Sequence, residues 1–180
     1  MLRVDKEGRR LIFLDETGCN LNLARRYGRA PKGVRLVDKS VPRNTPPNRS
    51  LVGAMSHEGL LTSMELEGTI DGDAFFVFLE NFLGPCLCHG DVVLMDNLST
   101  HKSARMAQAI TRRGAEVVFL PRYSPDFNPI EGAWSKLKAY LRKVAARTPK
   151  ALDRALARGL ARITAANARG WFQHAGYRTA

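Results

Sequence analysis

Residues Asp91 to Asn97 read DVVLMDN, and residues Ala115 to Pro121 read AEVVFLP. Each holds a short, unbroken apolar run with no polar alternation. Such a run is the mark of a strand buried on both faces, which only a sheet covered on both sides can accommodate. Between them lies THKSARMAQAITRRG (Thr100 to Gly114), which reads as a helix closed by Gly114. This part of the chain is therefore expected to alternate strand and helix.

The residues before it read differently. RRLIFLDET (Arg9 to Thr17) is a buried strand ending in acids. RSLVGAMSHEG (Arg49 to Gly59) and LLTSMELEG (Leu60 to Gly68) form a hairpin joined near His57-Glu58-Gly59. In Asp71 to Leu83, Phe75, Phe78, Leu79 and Phe82 recur at helical spacing, with Asp71 or Asp73 as the cap. After the alternating segment, Asn128-Pro129 opens a helix with Ile130, Trp134, Leu137, Leu141 and Val144 on one face. Thr148-Pro149 opens the last expected helix, with Leu152, Leu156, Leu160 and Ile163 apolar and Arg154, Arg158 and Arg162 in a basic stripe. Tyr27 to Asn48 holds Pro31, Pro42, Pro46 and Pro47 among many bases and reads mostly as loop. Antiparallel strands come first and α/β alternation follows. The fold class is α/β: a mixed five-stranded sheet with helices on both faces. The 180 residues suit one domain.

Composition narrows the function classes. No run of 18 apolar residues is present, so no transmembrane helix is expected. MLRVDKEGRR lacks the apolar core of a signal peptide, which points to the cytoplasm. Cys19, Cys86 and Cys88 do not suggest a disulfide framework, and Cys86, Cys88 and His89 lack zinc-ligand spacing. The net charge of +11 is local: residues 129–180 carry eleven Lys/Arg against Glu131 and Asp153, whereas residues 1–128 are nearly balanced. A basic C-terminal third on a nearly neutral body suits a polyanion, and nucleic acid above all.

Asp15 follows LIFL and Asp96 follows VVLM. A carboxylate at the C-terminal end of a buried strand sits at the sheet edge where α/β folds place their sites. One such Asp is explained by a turn; two on neighbouring strands would repel unless a divalent cation joined them. Carboxylates with open water positions suit Mg²⁺ or Mn²⁺. Glu131 has two readings. With Asn128 as N-cap it falls at the third helical position, the register of a capping box. Alternatively, Asp15, Asp96 and Glu131 bind two metal ions about 4 Å apart, as in polymerases and nucleases. Trp134 lies on the apolar stripe and reads as core rather than as a base-stacking platform. Strand alternation points Glu16 away from Asp15.

LIFLDETG, YGRAPKG, VVLMDNLSTHK and LPRYSPDFNPIEGAWSKLK together resemble the DDE transposases, and within them the bacterial insertion-sequence branch of the Tc/mariner superfamily. Residues 97–130, 34 in all, separate Asp96 from Glu131, similar to the spacing of that branch. The resemblance runs from about Arg9 to Lys143. It implies a ribonuclease-H-like fold, with Asp15, Asp96 and Glu131 as the catalytic triad and each a ligand of Mg²⁺ or Mn²⁺ in a two-metal site. The implied reaction is cleavage at a transposon's ends and their joining to target DNA by direct phosphoryl transfer, in a homodimer or higher assembly on DNA. Asn97, His101 and Asn128 would orient the ligands or touch DNA. Arg29, Lys32, Lys102, Arg122, Lys136, Lys138, Arg142 and Lys143 are the expected nucleic-acid contacts. Full-length relatives carry helix-turn-helix modules before the catalytic domain. Met1 lies fourteen residues before Asp15 and no such module is visible; the open readings are a catalytic half from its own reading frame, partnered by a separately encoded helix-turn-helix half, a truncated copy, or an engineered fragment. Competing readings are a ribonuclease-H-like nuclease acting on RNA–DNA hybrids and a non-enzymatic DNA-binding remnant.

Overall fold

Strand β1 (Leu11–Cys19) uses both of its edges. On one side it pairs antiparallel with β2 (Arg49–Ser56); on the other it pairs parallel with β4 (Val92–Met95). Adding β3 (Gly59–Glu67) and β5 (Glu116–Phe119) gives one five-stranded sheet, in the order β3-β2-β1-β4-β5. The computed structural model describes residues 8–25, 27–37, 41, 48–97, 103–121 and 124–177. The strand-rich first half and α/β second half thus combine into the mixed sheet expected.

The pleat sorts the strand side chains into two cores. Leu11 and Phe13 of β1 join Val92 and Leu94 of β4 under α3 (Ile130–Val144), α4 (Pro149–Leu160) and α5 (Ala165–His174). Ile12 and Leu14 join Val93 and Met95 on the opposite face, under α1 (Gly72–Phe78) and α2 (Ala104–Thr111). Alternate residues point to opposite faces of a strand, and both faces here are apolar and buried. Helices therefore cover both sides.

The local signals behave as their chemistry requires. Asp71 caps α1: its Oδ1 accepts from the Ala74 backbone N–H at 2.9 Å. Gly59, at φ +130°, turns the β2–β3 hairpin. Gly114, at φ +76°, follows α2, and a Cβ there would come within 2.6 Å of the His89 ring.

Several expectations change. β1 does not end at its acids; pairing with β2 from Asp15↔Gly53 to Cys19↔Arg49 carries the strand three residues past Glu16. β5 is an edge strand, with Glu116 exposed and Val117 to Phe119 only half-buried. After α1 the chain widens into a π turn over Leu79–Leu83, so Leu83 takes the buried place and Phe82 stays exposed. Val144, at the end of α3, is also exposed. The basic helix α4 is not the last. Thr164 and Asn167 form a reciprocal capping box that starts α5, which buries Ala168 and Phe172. Residues 27–37 carry no regular structure, as expected, while Pro42, Pro46 and Pro47 lie outside the described residues, as do Thr100 and the first seven residues.

Candidate active site

The parallel register of β1 and β4 brings two carboxylates together. The ladder ends at Leu14↔Met95, and the next step is Asp15 beside Asp96. Asp15 follows Leu11 and Phe13 in the pleat, and Asp96 follows Val92 and Leu94. Pleat parity therefore assigns both to the face that α3 covers. Asp15 is held in mid-strand by β2, and Asp96 is the first residue past β4.

α3 brings the third carboxylate. Glu131 lies in its first turn. The capping box read from the sequence does not form. The Asn128 backbone N–H, to which Glu131 would have to reach back, donates instead to the Pro125 carbonyl at 2.9 Å. The Asn128 side-chain oxygen accepts nothing. The helix begins on Pro129 without a side-chain cap, and Glu131 is exposed, opening on a hollow it shares with Asn128, Gly132, Trp171 and His174. The helix's N-terminal amides favour a negative charge at this position.

These groups act on one another. Burial pushes the Asp15 carboxyl up to about 7, and the charges of Glu131 and then Asp96 push the same way. Two hydrogen bonds oppose them by favouring the ionised form: one from the Glu16 backbone, the other from the Trp134 indole, whose Nε1–H donates to Asp15 Oδ2 at 3.1 Å. Trp134 is core, as its place on the apolar stripe indicates, but its polar edge belongs to the site. The apolar stripe carried no signal of that bond.

The residues fit a divalent cation in their chemistry. Three carboxylates repelling one another are what a cation relieves. The side-chain oxygens of Asn97 and Asn128 are buried and accept no hydrogen bond, and they flank Asp96 and Glu131 in the sequence. Buried acceptors without donors call for water or another polar partner, which the water shell of a hard cation supplies. Among the described residues, no three His, Cys, Asp or Glu side chains already close on one point as a metal cage would.

The other expected residues are scattered. Arg29 and Lys32 are exposed in the irregular segment, Lys143 is exposed at the end of α3, and Lys138 and Arg142 are half-buried. Lys138 lies near the buried Cys19 thiol, which burial pushes up to about 11 against the pull of the lysine charge. Lys136 departs from the expectation: its ammonium donates to the Arg162 carbonyl at 2.6 Å and to the Asn167 side chain. It ties α3 to the start of α5. His101, Lys102 and Arg122 lie outside the described residues.

Residues 10–153 match the family described as DDE superfamily endonuclease. The chain belongs to that family. A curated relative, the Tcb1 transposable-element transposase of Caenorhabditis briggsae, is 32% identical over 98 residues, covering 52% of this chain and 36% of the relative. The fold is that of the Mos1 transposase. Its paired-end complex with the left transposon end superposes with a TM-score of 0.76 at 15% identity, over 93% of this chain and 52% of that one. The Mos1 catalytic domain alone gives 0.64 at 13% identity, over 93% and 77%. At such identity the likeness speaks for the fold only, and it is the ribonuclease-H-like fold that the resemblance implied. The chain spans about half the length of the Mos1 chain in the paired-end complex and about a third of the Tcb1 transposase.

Proposed function

We propose that this chain is the catalytic domain of a DNA transposase, with Asp15, Asp96 and Glu131 as its triad. The observation that carries the reading is the Leu14↔Met95 register, which sets Asp15 beside Asp96 on the face that the first turn of α3 covers. Mg²⁺ or Mn²⁺ held by these carboxylates would supply activation of a water or 3′-hydroxyl and stabilisation of charge at phosphorus. Mos1 transposase paired-end complexes have been solved with Mn and with Mg, which supports that pair of ions here.

The chain's own residues supply the rest. Asp15 is fixed by strand pairing, Asp96 by following directly on the paired end of β4, and Glu131 by the proline-set start of α3. Rigid placement is what in-line displacement at a phosphodiester needs, because catalysis there is mostly positioning and electrostatics. Asn128, which lines the same hollow as Glu131, offers its buried side-chain oxygen to a water there. The basic C-terminal helices hold the DNA backbone, and the work is done in a dimer or higher assembly on paired transposon ends. The Mos1 paired-end and strand-transfer complexes support that assembly by analogy. Helix-turn-helix recognition of the ends comes from a separate segment. The spelling of YGRAPKG and SPDFNPIE and the 34-residue spacing support the bacterial insertion-sequence branch; inverted repeats flanking the gene, bounded by a TA duplication, would bear this out.

The test is incubation with a pre-nicked transposon end, target DNA and Mn²⁺. Nicking or joining is expected from the wild type and only background from Asp15→Asn, Asp96→Asn and Glu131→Gln. Glu131→Gln is the most telling of the three, since Glu131 is exposed and the capping box is not formed, so the fold should survive. A Glu131→Gln protein that cleaves like wild type overturns the triad. Preferential cutting of RNA–DNA hybrids would move the assignment to a hybrid nuclease.

A further inference from the structure

We propose that Trp134 is a positioning residue for Asp15, seated by Gly53, and that it locks the distance between the first and third carboxylates. The inference rests on the assignment of Asp15 and Glu131 as metal ligands. Three observations converge on it.

The first is the hydrogen bond from Trp134 Nε1–H to Asp15 Oδ2 at 3.1 Å. Together with the hydrogen bond from the Glu16 backbone, a donor on Oδ2 restricts rotation of the carboxylate and fixes which way it faces. The second is the seat. Gly53 is the cross-strand partner of Asp15 in β2. A Cβ at Gly53 would lie 2.7 Å from Cη2 and 3.1 Å from Cζ2 of the Trp134 ring. The indole therefore lies on the sheet where the glycine clears a space. A glycine inside a strand often marks such a close approach. Any larger residue there lifts the ring away from Asp15.

The third is spacing along α3. Glu131 and Trp134 are three residues apart and so share one side of the helix. The turn that carries the third carboxylate also carries the bolt that fastens the helix to β1. Trp134 is 1% exposed, so the bolt is held by packing on all sides. Its role is to set where Asp15 points and how far Glu131 stands from it; it need not touch DNA or metal.

Two variants test the N–H and its seat. Trp134→Phe keeps an aromatic side chain in the core but has no N–H and lacks the outer ring that lies over Gly53. Gly53→Ala keeps the indole but pushes it off its seat. Mn²⁺ binding by titration calorimetry is the readout, with thermal unfolding in parallel. Loss of a group that orients a metal ligand costs roughly 10- to 100-fold in affinity. Both variants are expected in that range, with Asp15→Asn and Glu131→Gln weaker still. Wild-type Mn²⁺ affinity in a folded Trp134→Phe protein overturns the positioning role. If Trp134→Phe does not fold, wild-type Mn²⁺ affinity in a folded Gly53→Ala protein overturns it instead. Unchanged Mn²⁺ binding in Asp15→Asn instead overturns the metal-ligand assignment, and the two failures cannot be confused.

Discussion

Asp15 is the residue where the conflict of charges concentrates. Its carboxyl titrates near 7 in the folded protein and near 3.9 in an unfolded chain. Between those values the unfolded chain has given up its proton and the fold still holds it. The stabilisation tied to that proton is complete below about pH 4 and is lost as pH rises through 7. Three pKa units correspond to at most about 4 kcal/mol. Metal-free wild type should therefore lose thermal stability relative to Asp15→Asn between pH 4 and 7, with the gap constant above about pH 8. A cation binds the ionised carboxylate, so Mn²⁺ affinity should climb with pH through the same range and level off above it. Calorimetric melts with and without Mn²⁺ measure both. A flat difference between wild type and Asp15→Asn across this range would show that the carboxyl ionises as it does in water.

At the scale of elements, α5 shows how a helix can be hidden in a sequence. AANARGWFQH has few apolar residues, so its periodicity is faint. What holds it is local polar chemistry plus docking: Thr164 and Asn167 cap it reciprocally, Lys136 of α3 binds the same Asn167, and Phe172 meets Phe13 edge-on at 5.2 Å. Thr164→Ala should cost about 1 kcal/mol, the usual loss for an N-cap hydroxyl, read from urea unfolding. An unchanged midpoint would mean that Phe172 alone anchors the helix. The same contrast explains what else could be read beforehand. The hairpin, β4, α2 and α3 announce themselves through apolar runs, turn glycines and an Asp or Pro at the helix start. The Asp15–Asp96 pairing was legible because both residues follow apolar strand runs, and strand pairing then aligns them. The failure of the Asn128 cap was not legible, because it depends on Pro125 taking the Asn128 amide in a turn. Nor was the Trp134 bond, which exists only once α3 has docked on β1 over Gly53.

Taken whole, the molecule puts its chemistry and its charge on one side of the sheet. α1 and α2 cover one face; α3, α4 and α5 cover the other, to which pleat parity assigns Asp15 and Asp96 and to which α3 brings Glu131. The same three helices lie in the segment that carries nearly all the net charge. A duplex lying along this face would meet phosphate contacts and carboxylates together. Arg154 and Arg158 are the natural contacts, exposed and one turn apart on α4. Lys136 is the natural control, since its ammonium is bound between α3 and α5. Each phosphate-neutralising side chain contributes roughly one unit to the slope of log affinity against log salt. Arg154→Gln with Arg158→Gln should therefore lower the slope for duplex DNA by about two, with stability changed by less than about 0.5 kcal/mol, as for exposed positions generally. Lys136→Gln should do the reverse, leaving the slope in place and lowering the unfolding midpoint. Fluorescence anisotropy across a salt series, paired with urea unfolding, distinguishes them. If the Lys136 variant loses slope and the arginine pair does not, the duplex runs over the α3–α5 seam rather than along α4.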